Sequence, residues 1–383
     1  MKRVFLLTVA LMLTAITFAQ FPAFPLRTDG AKIVDANGKT VKLQSVNWFG
    51  AESGELVVGG LDIQPMENIV KLMKKTGFNS LRLPFCSELI DRNPVVQDQY
   101  LTANPQLKGK TALEIMDILI DLCGKHEIMV ILDCHRGKGD WCCDYDHGDG
   151  LWHTKEYSEE VFFKHWRFMV ERYKDRKFVV GAELRNEIRK DGILNLSPTW
   201  GSGNPDTDWH YAASRCGEMI LAVNPDILVM VGGIDYQCDL SYVAFRPVRF
   251  SVPNKLVYVV HDYPWNHNME QLQNYQQFFA SVRSRWHFLL EQNIAPVYIS
   301  EWGGCLQPHD SNGKPCNPDR YAYPGMMAQY LRQSDASWAY WPLNGTMSSG
   351  YNRVRGNIET FGVLDSTWTK PADKDFWKAV FRK

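Results

Sequence analysis

Strand-length apolar runs alternate with helical stretches over most of this chain, and that alternation limits its fold more than any other feature. The runs fall at 43–49, 80–85, 129–135, 179–187, 227–233, 256–263, 297–302 and 338–343, eight in all. Runs such as Val179-Val180 suit strands buried on both faces. Helical stretches occupy 65–76, 112–126, 159–174, 209–223, 269–292 and 322–333, and 373–381 follows the last strand. The connection after the fifth run is short and poorly helical. Repeated strand-helix units build a parallel sheet, and eight of them point to an α/β fold, a closed (β/α)8 TIM barrel with long loops. The rival is an open doubly wound sheet, which ordinarily carries a Gly-rich phosphate loop after its first strand. Asn47-Trp48-Phe49-Gly50 is not such a loop. Ahead of the barrel, "TDGAKIVDANGKTVKL" predicts a short N-terminal β-hairpin turning at Asn37-Gly38.

The formal net charge of -1 argues against a nucleic-acid or anionic-membrane partner. Lys2 and Arg3 precede the apolar residues 4–13, and Thr17-Phe18-Ala19 offers small residues at cleavage offsets. Residues 1–19 therefore read as a secretory signal peptide, cut after Ala19, which implies a secreted, extracellular protein. That apolar segment is short for a membrane anchor, and no other segment is long enough to span a bilayer. No Pro/Ser/Thr-rich linker divides the rest, so 20–383 reads as one domain, and nothing requires more than a monomer. The nine cysteines are odd in number, which leaves at least one unpaired. Cys305 and Cys316 bracket a Gly/Pro-rich loop that they can close. Cys142 and Cys143 are adjacent and are expected to pair elsewhere, with Cys86 or Cys134. Cys123, on an apolar helix face, reads as a buried thiol.

A barrel of this kind gathers chemistry at the C-terminal ends of its strands. "VVGAELRNEI" and "PVYISEWGG" both run from apolar residues into a glutamate, Glu187 and Glu301. The other strand ends supply Arg82, His135, Asn186, His261, Tyr263 and Trp341. One polar residue at a strand end is usually just a solvated exit. Together these form a convergent set of acids, hydrogen-bond donors and an aromatic platform. No phosphate, nicotinamide or metal pattern competes, so no cofactor and no metal is expected.

Two acids suit glycosidic cleavage, in which the leaving oxygen must be protonated while a carboxylate meets the positive anomeric carbon. Glu187 is the expected general acid/base, its carboxyl raised by the nearby charge of Glu301. Glu301 is the expected nucleophile, kept ionised and oriented by Arg82 and the Tyr263 hydroxyl. Asn186 is expected to hold the sugar 2-OH. His135 and His261 would orient these groups or bind substrate, and Trp341 would stack under a sugar ring.

The motifs "GFNSLRLPF", "VILDCHR", "LRNEI", "VVHDYPW", "YISEWGG" and "WAYWPLN" resemble, in collinear order, the strand-end motifs of glycoside hydrolase family 5, the cellulase-type glycosidases of clan A. "WGSGNPDTDW" and "LAVNPDILVMVGG" resemble secreted endoglucanases of that family. The resemblance implies one catalytic (β/α)8 domain, a retaining double displacement, no metal or organic cofactor, and a β-linked glucan or mannan substrate. Its functional set falls on Arg82, His135, Asn186, Glu187, His261, Tyr263, Glu301 and Trp341. Where the acid motif usually continues with Pro, this chain has Ile188, which touches no proton-transfer group. The expected activity is an endo-β-1,4-glucanase. An endo-β-1,4-mannanase, a β-glucosidase-type enzyme acting on glycolipids, and a non-catalytic carbohydrate-binding protein are the alternatives.

"DWCCDYDHGDGLW" (140–152) is not typical of bacterial cellulases and looks more like a branch with plant members. It fits no calcium loop, because Asp149 and Lys155 stand where Gly and Glu are required. Its adjacent cysteines also lack zinc-ligand spacing. It reads as a disulfide-tied rim loop, with Trp141 and Trp152 adding sugar-contacting surface. Glu183, two alternations before Glu187, is expected to pair with a basic barrel residue. Asn195 and Asn344 head glycosylation sequons read as chance occurrences. Of Trp48, Trp200, Trp209, Trp265 and Trp302, about half are expected as sugar platforms, whereas Trp166, Trp286 and Trp377 read as core.

Overall fold

The structure, a computed structural model, describes residues 21–141, 143, 147–305 and 322–382. The expected signal peptide, Cys142 and Cys316 lie outside the described residues. Eight parallel strands close the expected barrel: β3 (Gln44–Asn47), β4 (Ser80–Cys86), β5 (Met129–Arg136), β6 (Val179–Glu183), β7 (Leu228–Gly232), β8 (Leu256–Asp262), β9 (Val297–Trp302) and β10 (Ser337–Tyr340). Each pairs with its neighbour in sequence, and β10 returns to β3. Helices α1 (Met66–Thr76), α2 (Ser87–Arg92), α3 (Ala112–Lys125), α4 (Glu159–Tyr173) and α5 (Trp209–Val223) wrap the outside. Their starts follow local chemistry: Thr111 and Glu114 form a capping box on α3, and the Ser158 hydroxyl caps α4. Between β7 and β8 the described residues hold only a short 3-10 turn (Ser241–Ala244), in keeping with the weak periodicity there. Among the described residues no helix is long and apolar enough to cross a membrane.

Side-chain alternation sorts each strand into two layers. Met129, Ile131, Val257, Val259 and Tyr298 fill the barrel interior. Val130, Leu132, Leu81 and Leu83 pack outward in the layer shared with the helices. The same period of two turns Arg82 and Asp133 inward at the upper end. Three bulges adjust this pattern. Val180 is an extra residue of β6 against β5, His135 of β5 against β4, and Ser300 of β9 against β8. A bulge re-aims the residues after it. The one at Ser300 lets Ser300 and Glu301 both face inward, which strict alternation forbids.

Several expectations are corrected. The N-terminal hairpin forms, but β1 (Arg27–Asp29) and β2 (Lys32–Val34) turn at Gly30-Ala31, not at Asn37-Gly38. Gly30 adopts φ 55 there. The Asp35 carboxylate accepts the N–H groups of Asn37 and Lys39, so the second turn carries only a single bridge, Val34 to Thr40. Helix 269–292 is interrupted: α6 (Tyr275–Val282) passes through a π-helical turn at Arg283–His287 into α7 (Phe288–Glu291). Cys86 and Cys134 are free buried thiols within the apolar outer layer, not partners of Cys142 or Cys143. The closure of Cys305 with Cys316 involves a residue outside the described ones. Trp48, Trp152, Trp209 and Trp302 are buried packing residues, whereas Trp265 is 51% exposed. Asn344 is also buried: its amide donates to the Phe49 carbonyl and accepts the Phe49 N–H, which leaves no site for a glycan.

Candidate active site

Arg82 is the hub of the barrel mouth. It is fully buried, and its fork meets acceptors on every side. Nε and Nη2 donate to the two oxygens of Glu183 at 2.7 and 2.8 Å. Nη1 donates to Asn47 Oδ1 at 2.9 Å and to Glu301 Oε1 at 2.8 Å. Nη2 also reaches Asn186 Oδ1 at 2.9 Å and Asp133 at 3.1 Å. The planar guanidinium presents five N–H donors in fixed directions, and a lysine could not hold this set in place. The second oxygen of Glu301 accepts the Tyr263 hydroxyl at 2.8 Å. Burial and the Glu301 charge hold that phenol well above its ordinary range, so it remains a donor.

Glu187 stands on the other side. Its strand ends earlier than expected, at Glu183, although the Leu184 and Asn186 N–H groups still donate to the Met230 and Cys134 carbonyls at 3.0 Å. Glu187 itself takes a left-handed backbone, φ 45. His261 Nδ1 lies 3.0 Å from Glu187 Oε1 and 3.6 Å from Glu301 Oε2. A carboxylate oxygen of Glu187, one of Glu301 and a ring nitrogen of His261 all lie within 4.8 Å of one another. Such a trio could ligate a cation, but both His261 nitrogens are engaged, Nδ1 with Glu187 and Nε2 with Ser300 at 3.0 Å.

Aromatic rings line the mouth. Trp341 stacks on His135, centroids 5.5 Å apart and planes 12° off parallel, and on Phe49 at 5.6 Å. Trp141 leans on both Phe49 and Trp341 and carries the Arg353 guanidinium 3.6 Å above its ring. Trp265 stacks on Tyr263 at 4.4 Å and stays half exposed beside the nucleophile candidate. All eight residues expected at the site are thus brought to one barrel mouth.

The family model described as Cellulase (glycosyl hydrolase family 5) matches residues 34–346. The chain belongs to glycosyl hydrolase family 5. It is similar to an endoglucanase of Paenibacillus polymyxa, with 33% identity over 89% of this chain and 83% of that one. It is also similar to the major extracellular endoglucanase of Xanthomonas campestris, with 30% identity over 93% of this chain and 71% of that one. Among solved structures, an endocellulase of Pyrococcus horikoshii in complex with cellotetraose aligns at TM-score 0.78, with 27% identity, 94% of this chain and 99% of that chain covered. Membership makes this protein a glycoside hydrolase, and family 5 endoglucanases act on β-linked glucan.

The electrostatics of this family 5 site depart from the sequence expectation in one respect. Burial raises the Glu187 carboxyl, but the hydrogen bond and charge of His261 outweigh it and hold Glu187 below its ordinary value. Conversely, burial lowers His261, while the Glu301 charge and the Glu187 hydrogen bond raise it above its ordinary value. The Glu301 charge therefore acts through His261, and the expected net rise of Glu187 is not found. The Ser300 hydroxyl donates to Glu183 at 3.0 Å and so accepts the His261 Nε2–H. The exchangeable proton is then shared across the 3.0 Å contact between His261 Nδ1 and Glu187. Burial pushes His135 down to about 3, so it is a neutral ring. Burial, reinforced by Glu183, pushes Asp133 up to about 8 despite Arg82.

Glu183, Ser300, Asn47, Asp133 and Gln237 also belong to the site, and sequence reading did not place them in it. Asn47 ends its strand and Asp133 precedes His135, so the strand-end reasoning used elsewhere applies to both. Ser300, two residues after the inward Tyr298, follows from alternation as well, whereas Gln237 sits in an irregular turn that has no local sequence signal.

Proposed function

We propose that the protein is a secreted endo-β-1,4-glucanase that cleaves with retention, Glu187 serving as acid/base and Glu301 as nucleophile. One observation carries the mechanism: the 4.8 Å bound on the separation of the two carboxylate oxygens. Retaining glycosidases set their carboxyl groups about 5–5.5 Å apart, whereas inverting enzymes leave a gap for water. The buried Arg82 and the Tyr263 phenol supply the fixed positive field a nucleophilic carboxylate needs.

In the first displacement Glu301 attacks the anomeric carbon as the glycosidic C–O bond breaks. The departing oxygen takes the proton held between Glu187 and His261. In the second, Glu187 removes a proton from water, which attacks the same carbon and breaks the ester to Glu301. The Asn186 amide, fixed by Arg82, would bind the sugar 2-OH, and the ring beneath is assigned to Trp341. The β-1,4-glucan substrate and secretion are supported by the names of the Paenibacillus and Xanthomonas relatives and by the cellotetraose complex. A purely sugar-binding barrel has no need of two apposed carboxylates.

Proton NMR of the first cleavage product from a cello-oligosaccharide is expected to show the β-anomer. An initial α-anomer contradicts retention. Glu187→Ala is expected to slow phenyl cellobioside cleavage by about 10³-fold and to spare glycosylation by the more activated dinitrophenyl cellobioside. Equal losses on both would remove Glu187 from the acid role.

A further inference from the structure

We propose that Gln237 is a positioning residue that sets the orientation of Glu187, an inference that rests on the acid/base reading of Glu187. No ladder partner holds Glu187, which lies beyond the end of β6 in a left-handed conformation. Its backbone N–H instead donates to Gln237 Oε1 in a short hydrogen bond. The amide Nε2 of Gln237 faces Glu183 Oε1 at 3.4 Å, next to Arg82. The Gln237 carbonyl accepts the His261 N–H at 3.0 Å. One fully buried side chain and its own backbone therefore tie together the acid, the histidine that shares its proton, and the carboxylate that anchors Arg82.

The surrounding backbone is unusual. Asp235, Tyr236 and Gln237 are consecutive left-handed residues, with φ 58, 58 and 57. Residues with a Cβ disfavour this region and normally enter it singly. Such strain persists where neighbours over-determine it, and it concentrates at functional sites. Here Tyr236 N–H donates to the Ile188 carbonyl at 3.1 Å, so two adjacent residues of the turn clamp two adjacent residues of the acid loop. Gly232 completes the fit, because a Cβ there would lie 2.4 Å from Gln237 Nε2. The amide orientation is fixed as well. A backbone donor meets its oxygen and a carboxylate meets its nitrogen, so a flipped amide would fail at both ends.

The test compares the purified wild-type enzyme with Gln237→Leu, Gln237→Glu and Glu187→Ala on phenyl and dinitrophenyl cellobiosides. Thermal unfolding is followed alongside. Gln237→Leu is expected to lower kcat/KM about a hundredfold on the phenyl substrate and less than about fivefold on the dinitrophenyl one. Gln237→Glu keeps the shape and mimics the amide only while its new carboxyl is protonated. Its activity on the phenyl substrate should therefore approach wild type in acid, and its alkaline limb should lie at lower pH. If Gln237→Leu does not fold, that displaced limb carries the test. Equal losses on both substrates, or an alkaline limb identical to wild type, overturn the role of Gln237. If Glu187→Ala itself shows no dependence on leaving group, the acid/base reading fails and the inference falls with it. If Glu187→Ala shows that dependence and Gln237→Leu does not, only the inference fails.

Discussion

Glu301→Ala is expected to lower turnover of an aryl cellobioside by about 10⁵-fold, the scale seen when a covalent nucleophile is removed. Added azide should restore cleavage and release a glycosyl azide of α configuration. The geometry explains why the rescue should work. Truncation leaves Arg82 Nη1 and the Tyr263 hydroxyl, each 2.8 Å from a Glu301 oxygen, facing a cavity built for an anion. A small anion held there attacks the anomeric carbon once, from the side Glu301 would have used, and that single inversion fixes the product. Stability should move the other way. Arg82 is one cation facing the carboxylates of Glu183 and Glu301, with the raised carboxyl of Asp133 beside them. Removing one of them relieves repulsion while the Glu183 pair stays intact, so the melting temperature should be equal to wild type or higher. Inactivity without azide rescue, in a protein that still melts cooperatively, would falsify the nucleophile assignment.

Which parts of this architecture the sequence reveals depends on how local their causes are. The barrel is legible because each strand is a short apolar run and most helices carry their own periodicity. Most of the site is legible for a related reason. In a parallel barrel the strand ends meet, so polar residues that close apolar runs, such as His135 and Glu301, mark the mouth without knowledge of tertiary structure. Their exact direction is not legible where it depends on an extra residue in the ladder. Simple alternation from Tyr298 would point Ser300 inward and Glu301 outward, and only the register shift against β8 and β10 brings both inside. Glu187 looked like the last residue of its strand, yet the ladder stops at Glu183 and a side chain from the next loop takes over its N–H. The pKa expectation failed for a similar reason. Two carboxylates alone would raise one another, but His261 lies between them and becomes the raised group instead.

Arg82→Met is expected to cost about 3–5 kcal/mol of stability, the range for breaking a buried ion pair by removing one partner, and to abolish measurable cellulase activity. Methionine fills similar volume, so the loss reports charge and hydrogen bonding more than a void. Its pH dependence separates this cause from simple mispacking. In the wild type, burial raises the Glu183 carboxyl, but the Arg82 charge and hydrogen bonds bring it below its ordinary value. A carboxyl lowered by folding contributes stability that is present above its unfolded value and is lost as pH falls through the folded one. Without Arg82, burial, the largest influence on Glu183, is opposed only by the smaller effects of the His261 charge and the Ser300 hydrogen bond, and its folded value is expected to move above the unfolded one. Folding of the variant then weakens as pH rises through that raised value, because the fold must bury the Glu183 carboxylate without its guanidinium partner. The stability gap between variant and wild type should therefore be small near about pH 4 and widest near about pH 8. Urea unfolding midpoints of both proteins across that range measure the gap directly. A gap that stays constant with pH would mean that Arg82 acts by packing, and the electrostatic account of the hub would be wrong.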